Sequence, residues 1–186
     1  MTVGQRVVFL DRDGVLVVPE IRDGKGYAIR KAADLRTYPD VVTALGRLKQ
    51  AGFSLVVVTN QPDVASGLLE RFELDEMHTR LLSELSLDRI RVCPHARGDF
   101  CDCRKPRPGL LLADDGLGLV DYGSSWMVGD RDLDIAAGRA AGCRTVFVDR
   151  GWREESGVGA DVVADSMTAA SDAILTRCQD WEARFE

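Results

Sequence analysis

Two short apolar runs that each end in carboxylate constrain this chain more than any other feature. Val7-Val8-Phe9-Leu10 leads directly into Asp11-Arg12-Asp13-Gly14, and the strand predicted over Ser125 to Gly129 leads directly into Asp130. Neither run alternates apolar with polar residues, so neither fits a strand with one wet face. Continuous apolar runs of this length belong to strands covered on both faces, as in parallel sheets flanked by helices. Leu55-Val56-Val57-Val58, within a predicted strand from Phe53 to Thr59, repeats the pattern. Further strands are predicted over 88–93, 145–148 and 161–164.

Helical spacing fills the gaps. Val41, Leu45 and Leu48 make one stripe between Pro39 and Gln50, with Gly52 as the stop. Leu74, Met77, Leu81 and Leu85 make the clearest amphipathic face, over 70–85. Helices are also expected after Pro108 (using Leu110 to Leu112), over 132–141, and near 168–177. Residues 15–36 lose periodicity and carry Pro19, Gly24 and Gly26, which reads as a flap or loop excursion. Strands alternating with helices give a three-layer, parallel, Rossmann-like α/β fold in one domain over 1–186. In such sheets ligands sit beyond the strand C-termini, where Asp11, Thr59 and Asp130 all fall.

The chemistry follows from the residue types. Carboxylates at two strand ends can hold a hard divalent cation, and magnesium suits carboxylate plus substrate phosphate. An aspartate such as Asp11 can attack phosphorus and split hydrolysis into two easier steps. Asp13, two residues on, can protonate the leaving alkoxide and then activate water. Thr59-Asn60-Gln61 offers a hydroxyl and amides to a transferring phosphoryl group, although the same tripeptide also suits a plain strand-ending turn. Lys105, set in Cys103-Arg104-Lys105-Pro106, is the candidate for stabilising charge on the phosphoryl group and nucleophile.

Five cysteines are an odd number, and Cys93, Cys101 and Cys103 lie close together beside His95. Cys-x-His followed by Cys-x-Cys supplies three thiolates and one imidazole, a closed tetrahedral zinc set with no open position for catalytic water. Such a zinc would be structural, fixing the loop 93–103 and positioning Lys105 and Arg104. Cys143 and Cys178 read as ordinary buried or half-buried residues. His78, within the amphipathic helix, reads as structural or solvent-facing.

These motifs resemble those of the haloacid dehalogenase-like phosphatases over nearly the whole chain: Asp11-Arg12-Asp13-Gly14 the first, Thr59 the second, Lys105 the third, and Gly129-Asp130 through Asp134 the fourth. The resemblance implies Asp11 as nucleophile and Asp13 as general acid/base. It implies magnesium held by the Asp11 carboxylate, the Asp13 backbone carbonyl and Asp130, with Asp134 behind them or acting through water. Cys101-Asp102-Cys103-Arg104-Lys105-Pro106 narrows the likeness to the D-glycero-D-manno-heptose 1,7-bisphosphate phosphatases and the related histidinol-phosphate phosphatases. Both groups lack a large cap domain, and the spans 14–58 and 62–104 are too short for one here. The heptose branch commonly carries an arginine where this chain has Ser66, in Pro62-Asp63-Val64-Ala65-Ser66-Gly67. Arg104 is then the candidate for a distal phosphate, with Arg22 and Arg30 in the flap as further contacts.

The expected activity is hydrolysis of the C7 phosphate of the heptose bisphosphate. Histidinol phosphate or another small phosphorylated metabolite is the alternative. A reading of a different class, a catalytically silent zinc-binding interaction protein, conflicts with the presence of Asp11, Asp13, Lys105 and Asp130 together. Thirty acidic against 24 basic residues, a formal charge of -6, argue against a nucleic-acid partner. No apolar run approaches the roughly 18 residues a membrane span requires. The first residues lack the pattern of a secretory signal, so a cytoplasmic enzyme, plausibly monomeric, is expected.

Overall fold

The computed structural model describes residues 4–152 and 155–182, and side chains within 4–152 and 155–178. Its strands are β1 (Val7–Leu10), β2 (Glu20–Arg22), β3 (Lys25–Tyr27), β4 (Ser54–Asn60), β5 (Arg89–Cys93), β6 (Trp126–Gly129), β7 (Arg144–Val148) and β8 (Val162–Ala164). Its α-helices are α1 (Val41–Gln50), α2 (Pro62–Ala65), α3 (Arg71–Glu84), α4 (Asp132–Ala140) and α5 (Met167–Glu182).

Six of the strands form one parallel sheet in the order β5-β4-β1-β6-β7-β8. β1 lies between β4 and β6, the point where the chain stops adding strands on one side and begins on the other. The continuous apolar runs divide between the two faces. Val8 and Leu10 point into a core shared with α1, α3 and α5, whereas Val7 and Phe9 point into a second core with α4 and residues 110–111. All four β1 side chains are fully buried, the reason a non-alternating run is needed there. The three-layer parallel architecture expected from the sequence is present, and among the described residues no large cap domain interrupts it.

Two segments differ from expectation. The flap is ordered in part as the antiparallel hairpin β2–β3, whose turn uses Asp23 and Gly24 at positive φ. The helix expected after Pro108 is only a 3-10 turn, Pro108–Leu110. Leu110 and Leu111 are buried against Phe9 and Val58 as single anchors, not as a helical stripe.

Candidate active site

The C-terminal ends of β1, β4 and β6 converge on one cavity of about 300 Å³. Asp11, Asp13, Thr59, Asn60, Lys105 and Asp134 are in its wall. Lys105 arrives from the loop after β5 and is buried at 2% exposure. Its Nζ donates to Asp11 Oδ1 at 2.6 Å and to the Val58 carbonyl at 2.7 Å, and lies 2.7 Å from Asp134 Oδ1. Burial alone would depress this ammonium; the Asp11 and Asp134 carboxylates outweigh it and hold its pKa above the ordinary value. The loop is fixed by a reciprocal pair: Asn60 Nδ2 donates to the Lys105 carbonyl and Lys105 N donates to Asn60 Oδ1, each at 3.1 Å.

Asp134 occupies the first turn of α4, where its carboxylate accepts from Arg131 N at 3.1 Å and completes a capping box. It comes so close to β6 that a Cβ at Gly129 would collide with it. Gly14 (φ +92°) plays the equivalent part for Asp130, since a Cβ there would strike the Asp130 carboxylate. Glycine at these two positions is thus what permits three acids, Asp11, Asp130 and Asp134, to crowd together. Asp11, Asp130 and Asp134 each offer a carboxylate oxygen within 4.8 Å of the others. Trp152 Nε1 donates to Asp130 Oδ2 at 2.5 Å, and the buried Asp130 Oδ1 has no hydrogen-bond partner among the described residues. Burial, then the neighbouring Asp11 and Asp134 carboxylates, push the Asp130 pKa well above the usual range. A buried acceptor without a donor, among mutually repelling acids, fits a hard divalent cation.

The second cluster forms as the spacing predicts. Cys93, His95, Cys101 and Cys103 bring their ligand atoms within 4.8 Å of one another. His95 Nδ1 lies 3.2 Å from Cys103 Sγ and 3.5 Å from Cys93 Sγ, while Cys93 and Cys101 Sγ are 3.7 Å apart, as free thiols. Burial and the adjoining sulfurs push Cys103 up to about 12. Three thiolates cannot share this space without a cation among them, so the donor set fits zinc.

Other expected contacts fall elsewhere. Gln61 is fully buried and outside the cavity wall; its Nε2 donates to Asp13 Oδ2 and to Thr59 Oγ1, each at 2.8 Å. It holds the acid in place instead of facing substrate. Arg22 pairs with Glu20 on the exposed hairpin, and Arg30 pairs with Asp63 at 2.7 Å; neither lines the cavity. Ser66 is exposed at the end of α2, also outside the wall. Arg104 does line it, with Nη1 3.3 Å from the His95 carbonyl.

Lys25, Arg97, Arg131, Trp152 and Glu155 line the cavity too, and none was singled out from sequence. Arg131, directly after Asp130, was discoverable by position: its Nη2 donates to the Gly26 carbonyl at 2.5 Å and ties the hairpin to α4. Trp152 lies beyond β7 in a stretch without periodicity, and no sequence signal marks it.

Known proteins resemble this chain in sequence and in fold. The HAD-hydrolase-like family model matches residues 102–170. The D-glycero-beta-D-manno-heptose-1,7-bisphosphate 7-phosphatase of Pseudomonas aeruginosa is 38% identical over 151 residues, covering 78% of this chain and 82% of that protein. The Escherichia coli K12 enzyme of the same name is 33% identical, covering 90% and 92%. The crystal structure of D,D-heptose 1,7-bisphosphate phosphatase from B. bronchiseptica, complexed with magnesium and phosphate, superposes with a TM-score of 0.74 at 28% identity, covering 93% of this chain and 99% of that one. The chain belongs to the haloacid dehalogenase superfamily, in its D-glycero-D-manno-heptose-1,7-bisphosphate phosphatase branch. It is a phosphoric monoester hydrolase.

Proposed function

We propose that this chain is a magnesium-dependent phosphatase that removes the C7 phosphate of D-glycero-D-manno-heptose 1,7-bisphosphate through a phospho-aspartate at Asp11. One observation carries the reading: Lys105 holds Asp11 Oδ1 and leaves Oδ2 as the free carboxylate oxygen, in a cavity that Asp13 shares. Asp11 Oδ2 forms a bond to phosphorus as the bond from phosphorus to the sugar oxygen breaks, and Asp13 gives its proton to the departing alkoxide. Water then attacks phosphorus, Asp13 takes the water proton, and inorganic phosphate leaves with Asp11 restored. Lys105 balances charge on the nucleophile throughout, and Thr59 and Asn60, in the same wall, are the candidates to hold the phosphoryl group.

Asp11, Asp130 and the Asp13 backbone carbonyl would hold magnesium, with Asp134 behind them against Lys105. When bound, the ion neutralises phosphate oxygens so that an anionic nucleophile can approach. Zinc in the Cys93, His95, Cys101 and Cys103 cluster would be structural. Residues 1–186 act as one domain, with the flap at 15–36 and the zinc loop at 93–103 as its two excursions. Arg104, which lines the wall, is the candidate for the C1 phosphate.

The test is kcat/KM, side by side, on heptose 1,7-bisphosphate, heptose 1-phosphate, heptose 7-phosphate and histidinol phosphate. The bisphosphate is expected to lead. Arg104→Ala should lower its turnover about tenfold or more while sparing a small monophosphate, because an arginine–phosphate pair is geometrically selective. A preference for histidinol phosphate rejects the heptose assignment.

A further inference from the structure

Arg12 stands between the two catalytic aspartates in sequence, yet it is fully buried and does not line the cavity. Its guanidinium forks onto Asp13, with Nε donating to Oδ2 at 3.0 Å and Nη2 to Oδ1 at 3.1 Å. Behind it, Arg12 Nη1 lies 3.2 Å from His78 Nε2 on α3. Burial, then the Arg12 charge, push His78 down to about 4, so the ring is neutral at pH 7 and Nε2 accepts the Arg12 proton. Gln61 Nε2 adds a second donor to Asp13 Oδ2 at 2.8 Å.

A carboxylate oxygen has two lone-pair sites. Oδ2 has both engaged, by Arg12 Nε and Gln61 Nε2, and also lies 2.9 Å from Arg12 Nη2; Oδ1 has a single contact, Arg12 Nη2 at 3.1 Å. We propose that His78, Arg12 and Gln61 form a buried positioning relay that fixes the Asp13 carboxylate and leaves Oδ1 as the atom that gives and takes the proton. His78 never meets substrate; it acts by fixing Arg12. An aliphatic side chain in its place would leave a buried guanidinium donor unpaired and free the fork to shift. This rests on the reading of Asp13 as acid/base above and adds to it the groups that aim it.

A misplaced acid matters only where the leaving group needs a proton. The test therefore compares single-turnover phosphorylation by heptose 1,7-bisphosphate, whose leaving group is an alkoxide, with the p-nitrophenolate burst from p-nitrophenyl phosphate, whose leaving group departs unaided. In His78→Leu the heptose phosphorylation rate should fall at least about tenfold, part of the roughly 10²–10⁴ that a positioned acid contributes, while the burst rate stays within about twofold. His78→Gln, which keeps an acceptor, should recover most of the loss. Gln61→Met, which removes the other donor to Oδ2, should show the same dependence on leaving group and serves if His78→Leu does not fold. Equal losses on both esters, or none on either, overturn the relay while the proposed function stands. Wild-type chain that forms no phospho-enzyme with either ester overturns the function, and the relay with it.

Discussion

At the scale of the residue, the site is a problem of crowded negative charge, and the side chains that solve it are as telling as the acids. Lys105 is the cation that allows Asp11 and Asp134 to be buried together, and removing it would leave two uncompensated acids. Gly14 matters because its φ of +92° disfavours any other residue and because a Cβ would strike the Asp130 carboxylate. Gly14→Ala should therefore reduce turnover about a hundredfold or more, since small displacements of reacting groups are that costly, with a raised magnesium requirement in kinetic titration. An undisturbed magnesium dependence would remove Gly14 from the metal cradle. Asp11→Asn keeps shape and loses the proposed nucleophile. Acid-quenched protein should then carry no covalent phosphate, and substantial turnover by that variant would sink the assignment.

At the scale of the element, the loop between β5 and the 3-10 turn at Pro108 is the least self-sufficient part of the fold. It contains no α-helix or strand, and Phe100 at its tip is 99% exposed. Its inner end nevertheless delivers Lys105 to Asp11. In the reading proposed above, a zinc ion held by Cys93, His95, Cys101 and Cys103 would supply the order that apolar burial does not, because metal binding and local folding are coupled. Purified protein should contain about one tightly held zinc per chain. Cys101→Ser should lower both zinc content and kcat, and should lower the melting temperature, since ligand loss also loosens Asn60's grip on the lysine segment. Elemental analysis showing no zinc after growth in zinc-replete medium rejects the site.

At the scale of the whole molecule, the burial of His78 links the stability of the fold to pH. The ring is neutral when folded, with its pKa pushed from 6.5 to about 4 by burial and then by Arg12. Between those values the unfolded chain takes up a proton and the folded chain does not, so stability is complete above pH 6.5 and declines as pH falls toward 4. The loss is on the order of 3 kcal/mol over that window. Urea melts from pH 7 to pH 4 should show a shallower decline for His78→Gln than for the wild type. Identical slopes would mean that His78 is not held neutral.

The sequence by itself determined the parallel three-layer fold, the strand-end position of Asp11 and Asp130, and the cluster of three thiols and an imidazole that is the proposed zinc site. Each of these is written in local order: an unalternating apolar run, a carboxylate at its end, thiols at ligand spacing. Leu110 and Leu111 show the limit of that legibility, because two adjacent buried leucines satisfy a 3-10 turn as well as a helix and only their contacts with Phe9 and Val58 separate the cases. The tertiary structure alone decided what faces the cavity. Arg22 and Arg30 carry the right charge but are drawn off by Glu20 and Asp63, whereas Trp152 reaches the site from a segment with no motif of its own. It also decided that Gln61 and His78 turn inward to Asp13 and Arg12. Hydrogen-bond partners far apart in the chain are chosen by packing in three dimensions, and a buried donor takes whichever acceptor the fold sets beside it.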